Sequence, residues 1–277
     1  MLQQTRVTAA APYYVRFLGR FPDVGALARA RLPTVLAHWA GLGYYRRARH
    51  LHAAARIVAK EGFPRTAAGW SALPGVGAYT SAAVASIAFR EPVAVVDGNV
   101  ARVLCRLHAL SGGEARIAAL AQAWLRRDAP GEFNQAVMEL GATVCTPRAP
   151  RCDACPIADG CRGRGEPSRY PAPRPRPATS LERRAVAFEV RGGRVLLRQR
   201  GKGERMEGLW DLPEAKGGGR VLGTVRHAIV DCRMLLTIHA GGARGGGTWV
   251  TRARLARLPL TAAARKCLDR VGFFDDN

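Results

Sequence analysis

Cys145, Cys152, Cys155 and Cys161 stand within seventeen residues, separated by gaps of six, two and five. Four thiols this close, beside Pro147, Pro150 and Pro156, leave little chain to bury and so need a common partner to fold around. With no secretory leader in the sequence, they read as ligands of a soft metal centre rather than as disulfides. Tetrahedral zinc on four thiolates and a [4Fe-4S] cluster both suit that donor set. The spacing alone does not choose between them. Cys105, Cys232 and Cys267 lie in apolar stretches and are expected in the core.

The charge narrows the partner. Forty-three Lys and Arg against twenty-one Asp and Glu give a formal net charge of +22, and only Lys60, Lys202, Lys216 and Lys266 are lysines. Guanidinium forks grip phosphate oxygens in pairs, so an arginine-dominated excess suits a polyanion such as nucleic acid. The 277 residues are enough for one large core or two smaller ones. No apolar run reaches membrane-spanning length and the first residues lack a signal-peptide pattern, which predicts a soluble cytoplasmic protein, nucleoid-associated in a bacterium.

A segment in which Pro167, Pro171, Pro173, Pro175 and Pro177 mix with Arg169, Arg174 and Arg176 predicts an extended linker over residues 163–183. Residues 1–162 before it are Ala- and Leu-rich, with three- and four-residue apolar spacing that predicts helices at Val24–Ala40, Ala48–Ala59, Tyr79–Phe89, Ala101–Leu110, Ile117–Leu125 and Glu132–Thr143. Residues 184–277 switch to short β-type runs. Val186–Val190 and Val195–Leu197 around Gly192-Gly193 read as a hairpin, Val221–Val225, Leu235–Ile238 and Thr248–Thr251 as further strands, and Ala262–Val271 as a helix. The expected fold class is an all-α domain followed by a smaller α+β domain.

Two loops carry candidate chemistry. In Leu73-Pro74-Gly75-Val76-Gly77 two glycines flank a small apolar residue ahead of a helix, so bare amides at a helix N-terminus could hold a phosphate; an ordinary helix–helix connection has the same pattern. In Val96-Asp97-Gly98-Asn99-Val100 an acid and an amide precede a helix, as a cap would, yet a capping carboxylate can also face a cleft. Asp97 is the candidate for such a cleft-facing charge.

Met1-Leu2-Gln3-Gln4-Thr5, Gly41-Leu42-Gly43-Tyr44-Tyr45, Leu73–Gly77, Val96–Val100, Phe133-Asn134-Gln135-Ala136 and the cysteine set occur in an order that resembles the helix-hairpin-helix DNA glycosylases of the endonuclease III superfamily, most closely their MutY branch. The resemblance is dense over residues 1–161. It implies a [4Fe-4S] cluster on Cys145, Cys152, Cys155 and Cys161. It implies DNA contacts from Gln3, Gln4 and Tyr44 at an intercalating surface and from Leu73, Gly75, Val76 and Gly77 in the hairpin. Asp97, Asn99 and Tyr79 become the catalytic candidates, acting on double-stranded DNA in which adenine is mispaired with 8-oxoguanine or guanine. The enzyme is expected as a monomer.

Superfamily members that cut the strand carry a Schiff-base lysine two residues after the last hairpin glycine, where this chain has Tyr79, so a monofunctional glycosylase is expected. In the MutY branch the general-acid glutamate lies two residues before the Met-Leu-Gln-Gln-Thr motif, upstream of Met1, so the chain as written is expected to bind a mispair and to release adenine poorly. Arg194–Arg200 and Gly208-Leu209-Trp210-Asp211-Leu212-Pro213 resemble the MutT-like (Nudix-like) module of the same branch, which recognises 8-oxoguanine. Glu214–Arg220 lacks the glutamate cluster of a pyrophosphatase, and Ile229-Val230-Asp231 stands where a Phe-Ser-His element is expected. The alternatives are an endonuclease III-like enzyme acting on oxidised pyrimidines and a catalytically impaired mismatch-binding protein.

Overall fold

The computed structural model describes residues 1, 7–172, 179–229, 232–255 and 258–274. By internal packing the chain forms two compact units, Met1–Arg56 with Arg176–Asn277, and Ile57–Pro175. These units reflect packing; the linker and domain limits expected from composition follow chain order and remain a proposal.

In the first unit, α1 (Val7–Arg20), α2 (Val24–Arg29), α3 (Leu32–Trp39) and the start of α4 (Tyr45–Glu61) bury Phe17, Phe21, Val35, Leu36 and Trp39. Phe17 packs edge-on to Trp39 with centroids 5.8 Å apart. The single helix expected over Val24–Ala40 is two. Asp23 caps α2 by accepting from the Ala26 amide at 2.7 Å, and Ala30 is extended at ψ 148°. Pro33 explains the break, because its ring would collide with the Arg29 carbonyl of a continuous helix, yet it is tolerated in the first turn of α3. Leu209 is fully buried in this same helical core. The Tyr45 hydroxyl donates to the Leu260 carbonyl at 3.4 Å.

The β-rich part of that unit has two sheets. In the first, β1 (Ser180–Phe188) runs parallel to β6 (Cys232–Ala240), which pairs antiparallel with β5 (Val221–Ile229). In the second, β3 (Arg194–Gln199) pairs antiparallel with β2 (Val190–Arg191), β4 (Trp210–Asp211) and β7 (Thr248–Thr251). The expected hairpin is therefore shorter than its sequence pattern. Gly192 and Gly193, at φ 51° and 69°, form the tight turn between β2 and β3, while Val186–Phe188 belongs to the other sheet. A short α10 (Arg252–Leu255) and α11 (Ala262–Arg270) complete the unit, α11 being capped by the Thr261 hydroxyl at the Ala264 amide. Val195, Leu197, Ile238, Val250, Leu255 and Leu268 form its driest core. Cys232 and Cys267 are buried there, and burial followed by the Asp211 charge pushes the Cys267 thiol up to about 12. No helix occurs in Glu214–Arg220.

The second unit contains α5 (Ala67–Ser71), α6 (Ala78–Phe89), α7 (Gly98–Leu107), α8 (Glu114–Trp124), α9 (Pro130–Glu139) and a π-type turn over Leu140–Val144. Val100, Val103, Leu104, Cys105, Ile117 and Val137 make its core. Helix α9 ends four residues short of the expected Thr143, because the chain widens there into the π turn before the cysteines. Gly131 lets α9 lie against α6: a Cβ there would sit 2.9 Å from Ile87 Cα. Among the described residues, no helix is long and apolar enough to cross a membrane.

Candidate functional site

The hairpin is built from the caps outward. Thr66 caps α5 by accepting from the Gly69 amide at 3.2 Å, and Glu91 accepts from the Ala67 amide, fixing where the helix starts. Leu73 is buried as an anchor, and the Val76 amide returns to its carbonyl at 3.2 Å. Gly75 turns the chain at φ 75°, a region that side chains disfavour. Gly77 is the N-cap of α6, so the first amides of this twelve-residue helix have no side-chain cap from it, and nothing lies within 4 Å of where its Cβ would be.

Asp97 is held more firmly than a solvent-facing cap requires. Its Oδ1 accepts from the amides of Asn99 at 2.8 Å and Val100 at 2.7 Å, and its Oδ2 accepts from Asn99 Nδ2 at 3.0 Å. The extended segment leading to it is pinned from two helices. Asn134, 3% exposed, accepts from the Val95 amide and donates to the Val93 carbonyl and the Ser86 hydroxyl, while the Gln122 side chain bonds both Ala94 and Pro92. Tyr79, 39% exposed at the start of α6, donates to Met138 Sδ at 3.8 Å. Burial and then the Asp97 charge raise its hydroxyl above the ordinary tyrosine range, so Tyr79 and Asp97 sense each other. Asp97 and Asn99 are thus joined by hydrogen bonds, and Tyr79 lies within range of the Asp97 charge.

Arg102, which no sequence motif singles out, continues this network. Its Nη2 donates to Asn99 Oδ1 at 2.9 Å and to the Gly141 carbonyl at 2.6 Å, and its Nε to the Cys145 carbonyl at 2.8 Å. Gly141 must be glycine for the π turn to reach α7, because a Cβ would lie 2.7 Å from Asn99 Cβ. One residue run therefore links Asp97, through Asn99 and Arg102, to the backbone of the first cysteine.

Arg106, one turn further along α7 and 3% exposed, grips the cysteine loop from both arms. Toward the entry arm its Nη1 donates to the Thr146 carbonyl at 2.8 Å and Cys145 Sγ at 3.3 Å, and its Nη2 to the Pro147 carbonyl at 3.0 Å. Toward the exit arm its Nε reaches the carbonyls of Pro167 at 2.9 Å and Tyr170 at 3.1 Å. Gly163 approaches so closely that a Cβ would lie 2.7 Å from the Arg106 carbonyl.

The four loop cysteines are free thiols that line one cavity together with Arg106, Val144 and Pro150. Burial, and then the neighbouring thiols, push the Cys161 thiol up against the opposing Gly163 amide. Among the described residues no three His, Cys, Asp or Glu converge tightly enough to hold one metal ion. Four sulfurs spread around a common cavity beside a buried cation fit a polynuclear thiolate-bound centre, whose bound form carries net negative charge. Bound there, such a cluster ties four points of the loop to one rigid body.

Tyr44 stands outside the core, 45% exposed and at φ 48°, an uncommon conformation for a residue with a side chain. It follows Gly43 at φ 71°, and the turn is fixed by Trp39 Nε1 donating to the Gly43 carbonyl at 3.0 Å and the Gly41 amide donating to the Tyr45 hydroxyl at 3.3 Å. The Arg47 guanidinium lies over the Tyr44 ring at 4.8 Å. An aromatic ring displayed in this way can stack on a base. Gln3 and Gln4 lie outside the described residues.

The profile of the HhH-GPD superfamily of base excision DNA repair proteins matches residues 1–127, and that of the iron–sulfur binding domain of endonuclease III matches residues 145–161. The loop is therefore an iron–sulfur loop, with a [4Fe-4S] cluster as its cofactor. The human adenine DNA glycosylase is 48% identical over 174 residues, covering 59% of this chain and 32% of that protein. That of Arabidopsis thaliana is 37% identical over 256 residues, covering 77% of this chain and 41% of that protein. This chain thus spans less than half the length of these curated relatives. The solved structure of a thermostable thymine-DNA glycosylase is 27% identical with a TM-score of 0.54, covering 59% of this chain and 80% of that chain. Hairpin, aspartate-capped helix and iron–sulfur loop thus follow in this order in a chain whose residues 1–127 match the HhH-GPD superfamily of base excision DNA repair proteins and which is similar over much of its length to adenine DNA glycosylases.

Proposed function

We propose that the chain is the catalytic part of an adenine DNA glycosylase, which hydrolyses the N-glycosidic bond of adenine mispaired with 8-oxoguanine or guanine in duplex DNA. The observation that carries this reading is a carboxylate, Asp97, oriented by three donors beside an exposed hairpin of bare amides. The hairpin amides hold a phosphate of the substrate strand. The adenosine is rotated out of the stack, with Tyr44, Gln3 and Gln4 occupying the space it leaves. As the bond to adenine lengthens, Asp97 stabilises the cationic sugar, and Asn99 and Arg102 keep its oxygens aimed. The MutT-like module meets the base opposite, with recognition of 8-oxoguanine weakened or carried by residues other than Ile229, Val230 and Asp231, which stand where a Phe-Ser-His element is expected. The chain acts as a monomer, and its substrate places it with the nucleoid of a bacterium.

Tyr79 has no amine with which to form a Schiff base, so the product is an abasic site in an uncut strand. Incubation of the chain, with whatever in-frame residues precede it, on a duplex containing adenine opposite 8-oxoguanine is expected to give free adenine, and strand scission only after added alkali. Borohydride is expected to trap no covalent adduct. Release of an oxidised pyrimidine but not adenine, or a borohydride-trapped adduct, contradicts this reading.

A further inference from the structure

The geometry points to the outer face of the three-stranded sheet as a second DNA-binding surface, one that holds the phosphate backbone of the duplex without reading bases. This rests on the proposed function for the choice of polyanion and on the sheet itself for the residues.

Alternation along the strands sends Val225, Met234 and Leu236 into the core and their neighbours outward. In register across the outer face lie Arg183, Leu235 and Arg226, and in an adjacent row Leu181, Arg233 and Ala228. Strands are spaced by about 4.8 Å, so the stems of Arg183 and Arg226 rise roughly 10 Å apart, with Arg233 about 7 Å further along the central strand. These arginines and Lys266 line a groove of about 600 Å³ in which no carboxylate is found among the described residues. His227 borders the same groove, and burial followed by the Lys266 charge lowers its pKa below the usual histidine range.

Three other arginines of this unit are neutralised. Arg184 pairs with Glu214 at 3.6 Å, Arg198 with Glu204 at 2.8 Å, and Arg200 with Asp211 at 2.5 Å. Among the described residues, Arg183, Arg226, Arg233 and Lys266 find no ion pair or side-chain hydrogen bond, although all four are exposed and clustered. Like charges across a sheet repel, and a polyanion laid along the face relieves that repulsion. Leu181 is the one large exposed apolar side chain among the described residues of this face, too little to anchor a lipid surface. A rigid polyanion whose charges repeat every 1.7 Å or so of axis suits cations fixed on a rigid sheet.

The test is the salt dependence of binding by the full chain to an undamaged duplex and to one with adenine opposite 8-oxoguanine, by fluorescence anisotropy between low and moderate KCl. Changing Arg183, Arg226, Arg233 and Lys266 to Gln together is expected to make the slope of log K against log salt shallower by about two to four, close to 0.9 for each phosphate no longer neutralised, equally on both duplexes. Changing the three arginines to Lys retains charge and fold and is expected to retain the slope. A parental slope in the four-Gln variant overturns the proposal. So does a variant that keeps its DNA slope but loses binding to polyglutamate or to phosphatidylserine vesicles. Adenine release is scored separately on the chain together with whatever in-frame residues precede it: an unchanged slope with release intact removes only the groove, whereas absent release by that longer chain removes the glycosylase reading.

Discussion

Changing Asp97 to Asn lowers the single-turnover rate of adenine release by about a thousandfold, roughly 4 kcal/mol of transition-state stabilisation, and leaves thermal stability within about 0.5 kcal/mol of the parent. The two effects separate because the proposed catalytic role needs the charge of Asp97 whereas the cap needs only its acceptor oxygen. Asparagine caps a helix about as well as aspartate, so the bonds to the Asn99 and Val100 amides survive the change. The negative charge proposed to face a forming sugar cation does not. Changing Asp97 to Ala removes both and is expected to cost about 1 kcal/mol of stability in addition to the rate. Rates are read by quantifying free adenine, stability by thermal denaturation. An Asn variant within tenfold of the parent rate reduces Asp97 to a cap.

The second large effect concerns Arg106. Its guanidinium is buried with no carboxylate partner among the described residues, and the anion the fold offers it is the sulfur of Cys145 once that thiol is a metal ligand. Changing Arg106 to Gln strands carbonyls on both arms of the loop, at a cost of about 3–5 kcal/mol. The purified variant is expected to hold less than half the parent's iron and to bleach under a chelator at least about tenfold faster, a difference of roughly 1.4 kcal/mol. Changing Arg106 to Lys keeps the charge and loses the fork, so it is expected to fall between the two. Iron content, visible absorbance and bleaching rate check this independently of base release. Parental iron and bleaching in the Gln variant show that the loop closes without this residue.

Much of this was legible in the chain because it is written locally. The cysteine spacing, the two-glycine hairpin turn and the acid ahead of α7 are short motifs whose geometry follows from a few consecutive residues. Asp97 was readable both as a cap and as a candidate charge, and it caps. Arg102 and Arg106 were not legible. In a chain this rich in arginine nothing marks two of them, and their partners are backbone carbonyls about forty and sixty residues away. Asn134 was visible within its motif, but its task of pinning Val93 and Val95 depends on how α9 crosses the segment before Asp97. The β2–β3 hairpin was overextended because apolar alternation runs on through Glu189, whereas pairing partners are chosen by the tertiary fold. Helix α1 is less legible in the sequence, since Pro12 stands inside a helix that the Phe17–Trp39 packing secures.

The central role given to Asp97 is tested most directly by a structure of the chain bound to a duplex that carries an uncleavable adenosine analogue opposite 8-oxoguanine. The analogue is expected outside the stack, with a backbone phosphate on the amides after Gly77 and an Asp97 oxygen within about 3.5 Å of the sugar's anomeric carbon. An extruded nucleotide bound elsewhere, with Asp97 bonded only to Asn99 and Val100, contradicts that role.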